Sequence, residues 1–574
     1  MMKYRSIVMA VGCLSLPIIA SAENTSLYWE NYVASRSQGS DLVDPNYVAQ
    51  DGFIPPNFSY AGYQRGDVPL PDYSRYADYK IFNVTDYGAV ANDGLSDKKA
   101  FQAMANAVNS YRQKSRQGII FYVPEGDFII NDKSDMNSID PNNLTHIRQQ
   151  QIISIIGDNI ILRGAGADKT RLLMKTHLLP ETPKKMWSTP YIIQIGQDKD
   201  HFDTTVKTDV TQNIIGDSRF SLTVKDASAF KAGDYAEIRG VITHRERIDD
   251  AISPYKFEIN KKTGKARWSE LDKNLIKIEK HQIASVMGNS LTFTTPVGHT
   301  INADDNWTVT KIVPATGIGV EGITFAGSWS GYFIHHADAL HDSGYSILRL
   351  TRATDSWIRD IEVTDFNQAI QIANSFNVTA QDIVLSGNPG HLALSILYGN
   401  NNLVQDVSDN ANTWHAPGLS KYSSHNVNLR TTYSPLMGLD LHGAQSTDNL
   451  FDNIKGGCVQ GHWGAAVKNQ PNHLKGLYVW NAENTGKAND KLYFMSSNGM
   501  YGKLIMPHLI GLHGNPLNVN SQFDYMMNAN QKGWAKYSSL PDRKQPQAHI
   551  ESNGFPVYPQ SLYDAQLKYR QARQ

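Results

Sequence analysis

The sequence predicts an all-β solenoid, and three observations carry that expectation. From about Ile347 to Asn484, short apolar-alternating segments recur at roughly 20 to 26 residues, a period that marks stacked supersecondary rungs. Glycine (43 residues) and asparagine are abundant while charged residues make up 19%, which suits a turn-rich β protein better than a helical one. The chain has 574 residues, more than one compact core usually holds, and a solenoid escapes that limit because its core grows in one dimension. Stacked rungs lie about 4.8 Å apart, so residues distant in sequence form a row on one surface, an arrangement suited to gripping a long polymer.

The N-terminus reads as a cleaved secretory signal over residues 1–22. Lys3 and Arg5 form its positive region, Ile7 to Ile19 its apolar region, and Ala20-Ser21-Ala22 its cleavage site. A secreted or periplasmic protein is expected. Past that signal only Cys458 remains, so an intramolecular disulfide is excluded and packing must hold the fold. No later stretch approaches the ~20 apolar residues of a membrane span. With net charge −1 and pI about 7.0, no global field points to nucleic acid or a membrane surface.

Residues 23–80 are rich in Tyr, Pro, Asp and Ser and read as an extended segment wrapping the body. A strand and a Gly-rich turn follow at Phe82 to Gly94. Asp97 to Tyr111 then places Phe101, Met104, Ala105 and Val108 at helical spacing, with Ser96 or Asp97 positioned as the cap. Gly118 to Ile130 supplies two strands about a Pro-Glu-Gly turn, and Asn159 to Met174 another rung.

Three runs, Asp86-Tyr-Gly-Ala-Val-Ala-Asn-Asp-Gly94, Val123-Pro-Glu-Gly126 and Leu162-Arg-Gly-Ala-Gly166, resemble the entry of pectin-lyase-like proteins. The resemblance implies a right-handed parallel β-helix whose first helix caps the apolar end of the coil. It covers the N-terminal cap closely, and from about Val320 it rests on the repeat. It also implies a polysaccharide substrate, but this fold hosts lyases, hydrolases, epimerases and phage tailspikes, so it does not choose the chemistry.

The coil is interrupted at about 200–312. Strand–turn–strand patterns at Ser221 to Gly240, Ile276 to Val286 and Ser290 to Val297 predict an antiparallel β insertion flanking the groove. Rungs resume at Gly317. The β-helix is thus expected over 81–520, and the polar, Gln-rich residues 521–574 as a tail that packs loosely or caps the open end.

Aligned by strand, successive rungs end on Arg352, Asn374, Tyr398, Tyr422, His442 and Lys468. Side chains alternate faces, so a one-residue slip reverses them; Lys421 competes with Tyr422 for the outward position, and Asp440 shares a face with His442. His335, His336 and His341 sit on the connection before Arg352. His391, Trp414-His415 and His462-Trp463 precede later rungs, and most of the 18 histidines follow position 330. Asn374 and Asn400 to Asn402 read as turn residues. Arg, Tyr, Lys and His on successive rungs would need heavy pairing if buried, which favours an exposed groove.

Two reactions compete. Polygalacturonase-type hydrolysis needs an acid and a second carboxylate about 5 to 9.5 Å apart. Asp249-Asp250 and Asp304-Asp305 lie off the ladder, and Asp355, Asp406 and Asp440 are scattered. β-Elimination at a uronate needs a cation on the carboxylate and a base at the neighbouring proton. The ladder offers Arg352 or Lys468 as the cation, with Tyr422, Lys421, Tyr398 or His442 as base. Lys468, His415, Asp440, His336, His391 and Trp463 complete the expected substrate-binding surface. No cofactor is expected: Asp440, Asp406 and Asp355 leave calcium open but no dense acidic run favours it, and a His-rich zinc site is conceivable but no His-x-x-x-His spacing supports it. A lyase for an acidic polysaccharide is therefore expected ahead of a galactan hydrolase or a non-catalytic glycan-binding β-helix.

Overall fold

The computed structural model describes residues 24–573 except 37–39, 73–75, 138, 140–146, 258, 260–263, 265, 267–268, 458–468, 493, 495–503 and 520–545. The signal segment, Trp463 and Lys468 lie outside the described residues. The chain winds into the expected parallel β-helix. One face is a seven-stranded sheet, with strands Ile153–Ile156, Ile193–Gly196, Ser346–Thr351, Gln368–Ala373, Leu392–Leu397, Gly418–Ser420 and Asp440–Leu441 side by side. A 17-stranded sheet forms the other faces. Between the two run inward-facing aliphatic stacks such as Leu348, Ile370 and Leu394, and Leu350, Ile372 and Ile396, all fully buried.

The coil turns its corners on columns of left-handed backbone. One column is Asp355, Asn377, Asn401, His425 and Asp448; another is Asp360, Asp382, Asp406, Arg430 and Asn453. Asn and Asp dominate because their short polar side chains tolerate positive φ. The column bordering the seven-stranded sheet differs. Arg352, Asn374, Tyr398 and Lys421 take φ of 51°, 53°, 54° and 56° there. The expected strand-end ladder is therefore a corner ladder, and strand alternation does not govern it. His442 is not part of it: its N–H donates to Leu419, so it lies on the strand side, and Gly443 and Ala444 meet Lys421 and Tyr422 at the corner.

Beside the first column runs a buried asparagine ladder, each Asn following a left-handed residue of that column. Asn402 donates from Nδ2 to Asn426 Oδ1 (2.9 Å), and Asn426 from Nδ2 to Asn449 Oδ1 (3.0 Å). Each amide oxygen also accepts a backbone N–H from the neighbouring rung, as Asn402 N does with Asn426 Oδ1 at 3.1 Å. Asn400 to Asn402 are turn residues as expected, and Asn402 pins one rung to the next.

Helix Lys98–Arg112 closes the apolar end and buries Phe101, Met104, Ala105 and Val108. Ser96 Oγ accepts from Lys98 N (3.3 Å), whereas Asp97 instead accepts from Val90 and Ile129 (2.9 and 3.0 Å), tying the Gly-rich turn to the next strand. A six-stranded antiparallel sheet spanning Asp203 to Ile312 interrupts the coil. It leans on the corner ladder: Lys280 donates from N to Asn400 Oδ1 (2.9 Å) and from Nζ to Tyr398 O (2.8 Å).

The C-terminus departs from expectation. Strand His549–Asn553 continues the coil beyond residue 520, paired with His508–Gly514. Helix Leu562–Gln571 is firmly docked rather than loosely packed, because it buries Arg570 (1% exposed). That guanidinium donates to Ser59 O (3.0 Å) and Arg65 O (2.6 Å) and pairs with Asp67. Tyr563 donates to Ala61 O (2.9 Å), and Ser26 to Glu551 (2.6 Å). The N-terminal segment and the C-terminal helix thus clasp each other along the last coils.

The ladder predicts a specific weakness. Asn426→Ala removes the acceptor for two Asn402 donors and should cost about 3 kcal/mol, the scale of buried groups left unpaired. The check is the urea unfolding midpoint, with the exposed Asn46→Ala as control.

Candidate functional site

The outer face of the seven-stranded sheet carries one continuous row. Ser154, Gln194, Arg349, Gln371, Ser395, Gly418 and Asp440 are direct register partners across successive strands. Gly418 is required by close approach: a Cβ there would lie 1.8 Å from the Asp440 carbonyl oxygen. Four rungs separate Arg349 from Asp440, or about 19 Å at 4.8 Å per rung. Asp440 and His442 share this face, as expected.

One end of the row is cationic and amide-rich. Arg148, Lys199, Arg349 and Arg352 line a cleft of about 920 Å³ with Gln102, Asn109 and Gln194, and Asp198 is the only carboxylate among its described lining residues. Burial lowers the pKa of Arg349 and of Arg352, and the neighbouring Asp203 partly opposes this at Arg352. Arg352 therefore lies in this cleft, apart from His442.

The other end is a cluster of five imidazoles. The segment between strands Gly319–Ala326 and Ser346–Thr351 carries His335 and His336; His391 and His415 precede two strands of the sheet, and His442 follows a third. Ring centroids lie 3.7 Å apart for His335–His336, 5.3 Å for His335–His391, 5.0 Å for His391–His415 and 4.5 Å for His415–His442. Trp414 stacks on His335 at 5.0 Å and Phe333 on His391 at 5.8 Å.

Two carboxylates orient the rings. Asp342, fully buried, accepts from His336 N (2.9 Å) and faces His336 Nδ1 (2.6 Å). Its carbonyl faces His391 Nδ1 (2.7 Å), so that nitrogen carries the proton and Nε2 holds the lone pair. Asp440 Oδ1 lies 3.1 Å from His415 Nδ1, and its Oδ2 3.8 Å from His442 Nδ1. Burial, then His415, lowers His442 to about 3; burial, then His336, lowers His335 to about 4; burial, then His415, lowers His391 well below its usual value. All three are neutral near pH 7. The His442 side chain remains 39% exposed.

Tyr422, expected as a base, is corrected by its surroundings. It is buried, and its hydroxyl donates to Glu270 from the insertion. Burial and that carboxylate raise its pKa, opposite to what a base requires. Tyr398 packs on Tyr422 (5.7 Å between rings), and burial, then Glu270, raises its pKa too. The Lys421 ammonium lies 6.0 Å from the Tyr398 ring centre; burial, then Arg349, lowers its pKa against the pull of Glu270, and its charge is felt at His442. Of the expected site residues, the structure joins His336, His391, His415, Asp440 and His442, with Lys421 beside them. Sequence reasoning missed Arg349 and Asp342. Alternation in Ile347-Leu-Arg-Leu places Arg349 outward, but nothing local marks Asp342.

Residues 412–573 match the profile of a domain of unknown function (DUF4955). No curated protein matches the chain. Among solved structures, the chain is similar to the tailspike protein gp49 from Pseudomonas phage LKA1 (14% identity, 76% of this chain and 70% of that one, TM-score 0.37). It is also similar to PfbA, a surface adhesin of Streptococcus pneumoniae (12%, 77% and 80%, 0.37). A third is a hyperthermoactive exopolygalacturonase from Thermotoga maritima (12%, 78% and 88%, 0.27).

Proposed function

We propose that the protein cleaves an acidic, uronate-containing polysaccharide by β-elimination along the outer face of the seven-stranded sheet. The observation that carries this reading is the row from Arg349 to Asp440, cationic at one end and lined by neutral imidazoles at the other. At about 19 Å it matches several sugar residues laid across the rungs. Lys421, between the two ends, meets the carboxylate of the reacting uronate. Neutralising that group acidifies the proton on the adjacent ring carbon. His442, neutral and partly exposed, takes that proton. The carbon–oxygen bond to the leaving sugar then breaks, a ring double bond forms, and the departing oxygen takes a proton from water, His442 afterwards releasing its own proton to solvent. His415, held by Asp440, positions His442 through their ring contact. Arg349, Arg352 and Arg148 hold the carboxylates of neighbouring sugars, Arg by paired donors.

Elimination is favoured over hydrolysis by the state of the carboxylates. Asp342 and Asp440 are both buried and engaged by histidines. Neither stands as the exposed acid that a hydrolytic pair requires.

The direct test is incubation with a panel of uronic polysaccharides, following ultraviolet absorbance of the unsaturated product. Product masses without added water support the reading, and new reducing ends without unsaturation sink it. In the active assay His442→Ala should lower kcat by about 10²-fold or more, the usual worth of a positioned base. Lys421→Ala should lower kcat/KM by about 10²–10³-fold.

Tyr422→Phe separates this site from a tyrosine-based one. Turnover should be unchanged, while stability falls by about 1–3 kcal/mol through loss of the Glu270 contact. A collapse of kcat with an unchanged melting temperature would restore Tyr422 as the base.

A further inference from the structure

We propose that His335, His336 and His391 form a binding site for one transition-metal dication of the zinc class. Each offers a ligand atom, and these atoms lie within 4.8 Å of one another. The set is all nitrogen, which suits zinc, cobalt, nickel or copper and not the oxygen-seeking calcium or magnesium.

Two features beyond proximity point to an ion. The first is the outer partners. Metal-binding histidines typically donate their second ring N–H to a carboxylate or a backbone carbonyl, which fixes the tautomer and aims the other nitrogen. Here one residue serves two rings: Asp342 offers its carboxylate to His336 Nδ1 at 2.6 Å and its carbonyl to His391 Nδ1 at 2.7 Å. Both rings are thereby left presenting Nε2. The second is an imbalance at the centre. His335 Nε2 and His391 Nε2 are buried with no hydrogen-bond partner, and His391 is only 6% exposed. Two buried ring nitrogens without partners are costly together, and a single cation bound to the unprotonated form of each satisfies both.

The surroundings fit a site that keeps an open position. Trp414 and Phe333 wall the triad through ring stacking on His335 and His391. The remaining side faces His415, whose ring lies 5.0 Å from His391 and 5.4 Å from His335. Three protein nitrogens with one open side is the pattern of a catalytic rather than a structural zinc site. The open side looks toward the row on the seven-stranded sheet, where an anionic oxygen of a bound chain would meet it.

This inference goes beyond the glycan reading and does not rest on it, since binding is measured without any polysaccharide. The full-length protein is stripped with a chelator and titrated with Zn²⁺ by calorimetry. Bound metal is then counted by mass spectrometry, and Co²⁺ absorption reports the ligand geometry. One equivalent is expected, with Ca²⁺ and Mg²⁺ in excess failing to displace it. Asp342→Asn should weaken binding by about 10–100-fold, the usual effect of losing an outer partner. His336→Ala and His391→Ala should each weaken it by more than that. The exposed His201→Ala should leave it unchanged. Circular dichroism establishes folding of each variant; should His391→Ala not fold, the half-exposed His336 decides. Absence of saturable Zn²⁺ uptake, or uptake indifferent to His336→Ala, overturns the proposal.

Discussion

Everything at the candidate site depends on rung-to-rung register. The imidazoles that meet come from segments around 335, 391, 415 and 442, and only a fixed stacking of coils brings them within ring contact. The buried amides of Asn402, Asn426 and Asn449 impose that stacking, because each bonds both the backbone and the side chain of its neighbour. A slip by one residue would leave these amides unpaired in a low-dielectric core, a far larger penalty than any exposed contact returns. The corner columns add a second constraint, since left-handed backbone recurs at matching positions in successive coils. At Arg352, Tyr398 and Lys421 that conformation falls on bulky side chains, where it costs more than at Asn or Asp.

The insertion leans on this corner ladder. Glu270 draws the Tyr422 hydroxyl inward, and the buried Lys280 bonds the Tyr398 carbonyl. Both tyrosines become the wall on which the six-stranded sheet rests, packed with Ile276 and Ile278. The same pairing that stabilises the wall raises both phenol pKa values, so docking the insertion and activating a tyrosine base are mutually exclusive. Burial instead keeps the His335, His391 and His442 imidazoles unprotonated near neutral pH.

Much of the fold was legible in the sequence because its signals are local and repeated. The helical spacing of Phe101, Met104, Ala105 and Val108, the recurring strands and the insertion's hairpins each follow from a short window. The site was only partly legible, for three physical reasons. Strand alternation was applied to residues that turn corners, which made Tyr422 look outward. Partners contributed from a distance, such as Glu270 against Tyr422, leave no local trace. A metal-type cluster built across coils has no characteristic spacing along the chain: His336, His391 and His415 are neighbours only because the coils stack. Asp440 and His442 lie on one face because His442 directly follows the short strand Asp440–Leu441 and still bonds Leu419 across the rung.

The segment matching the domain of unknown function, residues 412–573, divides the site instructively. It contributes His415, Asp440 and His442, and with them the C-terminal helix whose Arg570 closes on Ser59 and Arg65. His335, His336 and His391, with the orienting Asp342, come from the coils before it. His442, His415 and Asp440 therefore travel with the clasp, whereas the triad facing them is supplied by the longer coil. Since Asp440 lies in register with Arg349 through Gly418, Ser395 and Gln371, the two parts share one sheet and hence one groove. A shift between them would separate His415 from His391 and misalign the row together, so the stability of the coil and the integrity of the site are the same physical quantity at this junction.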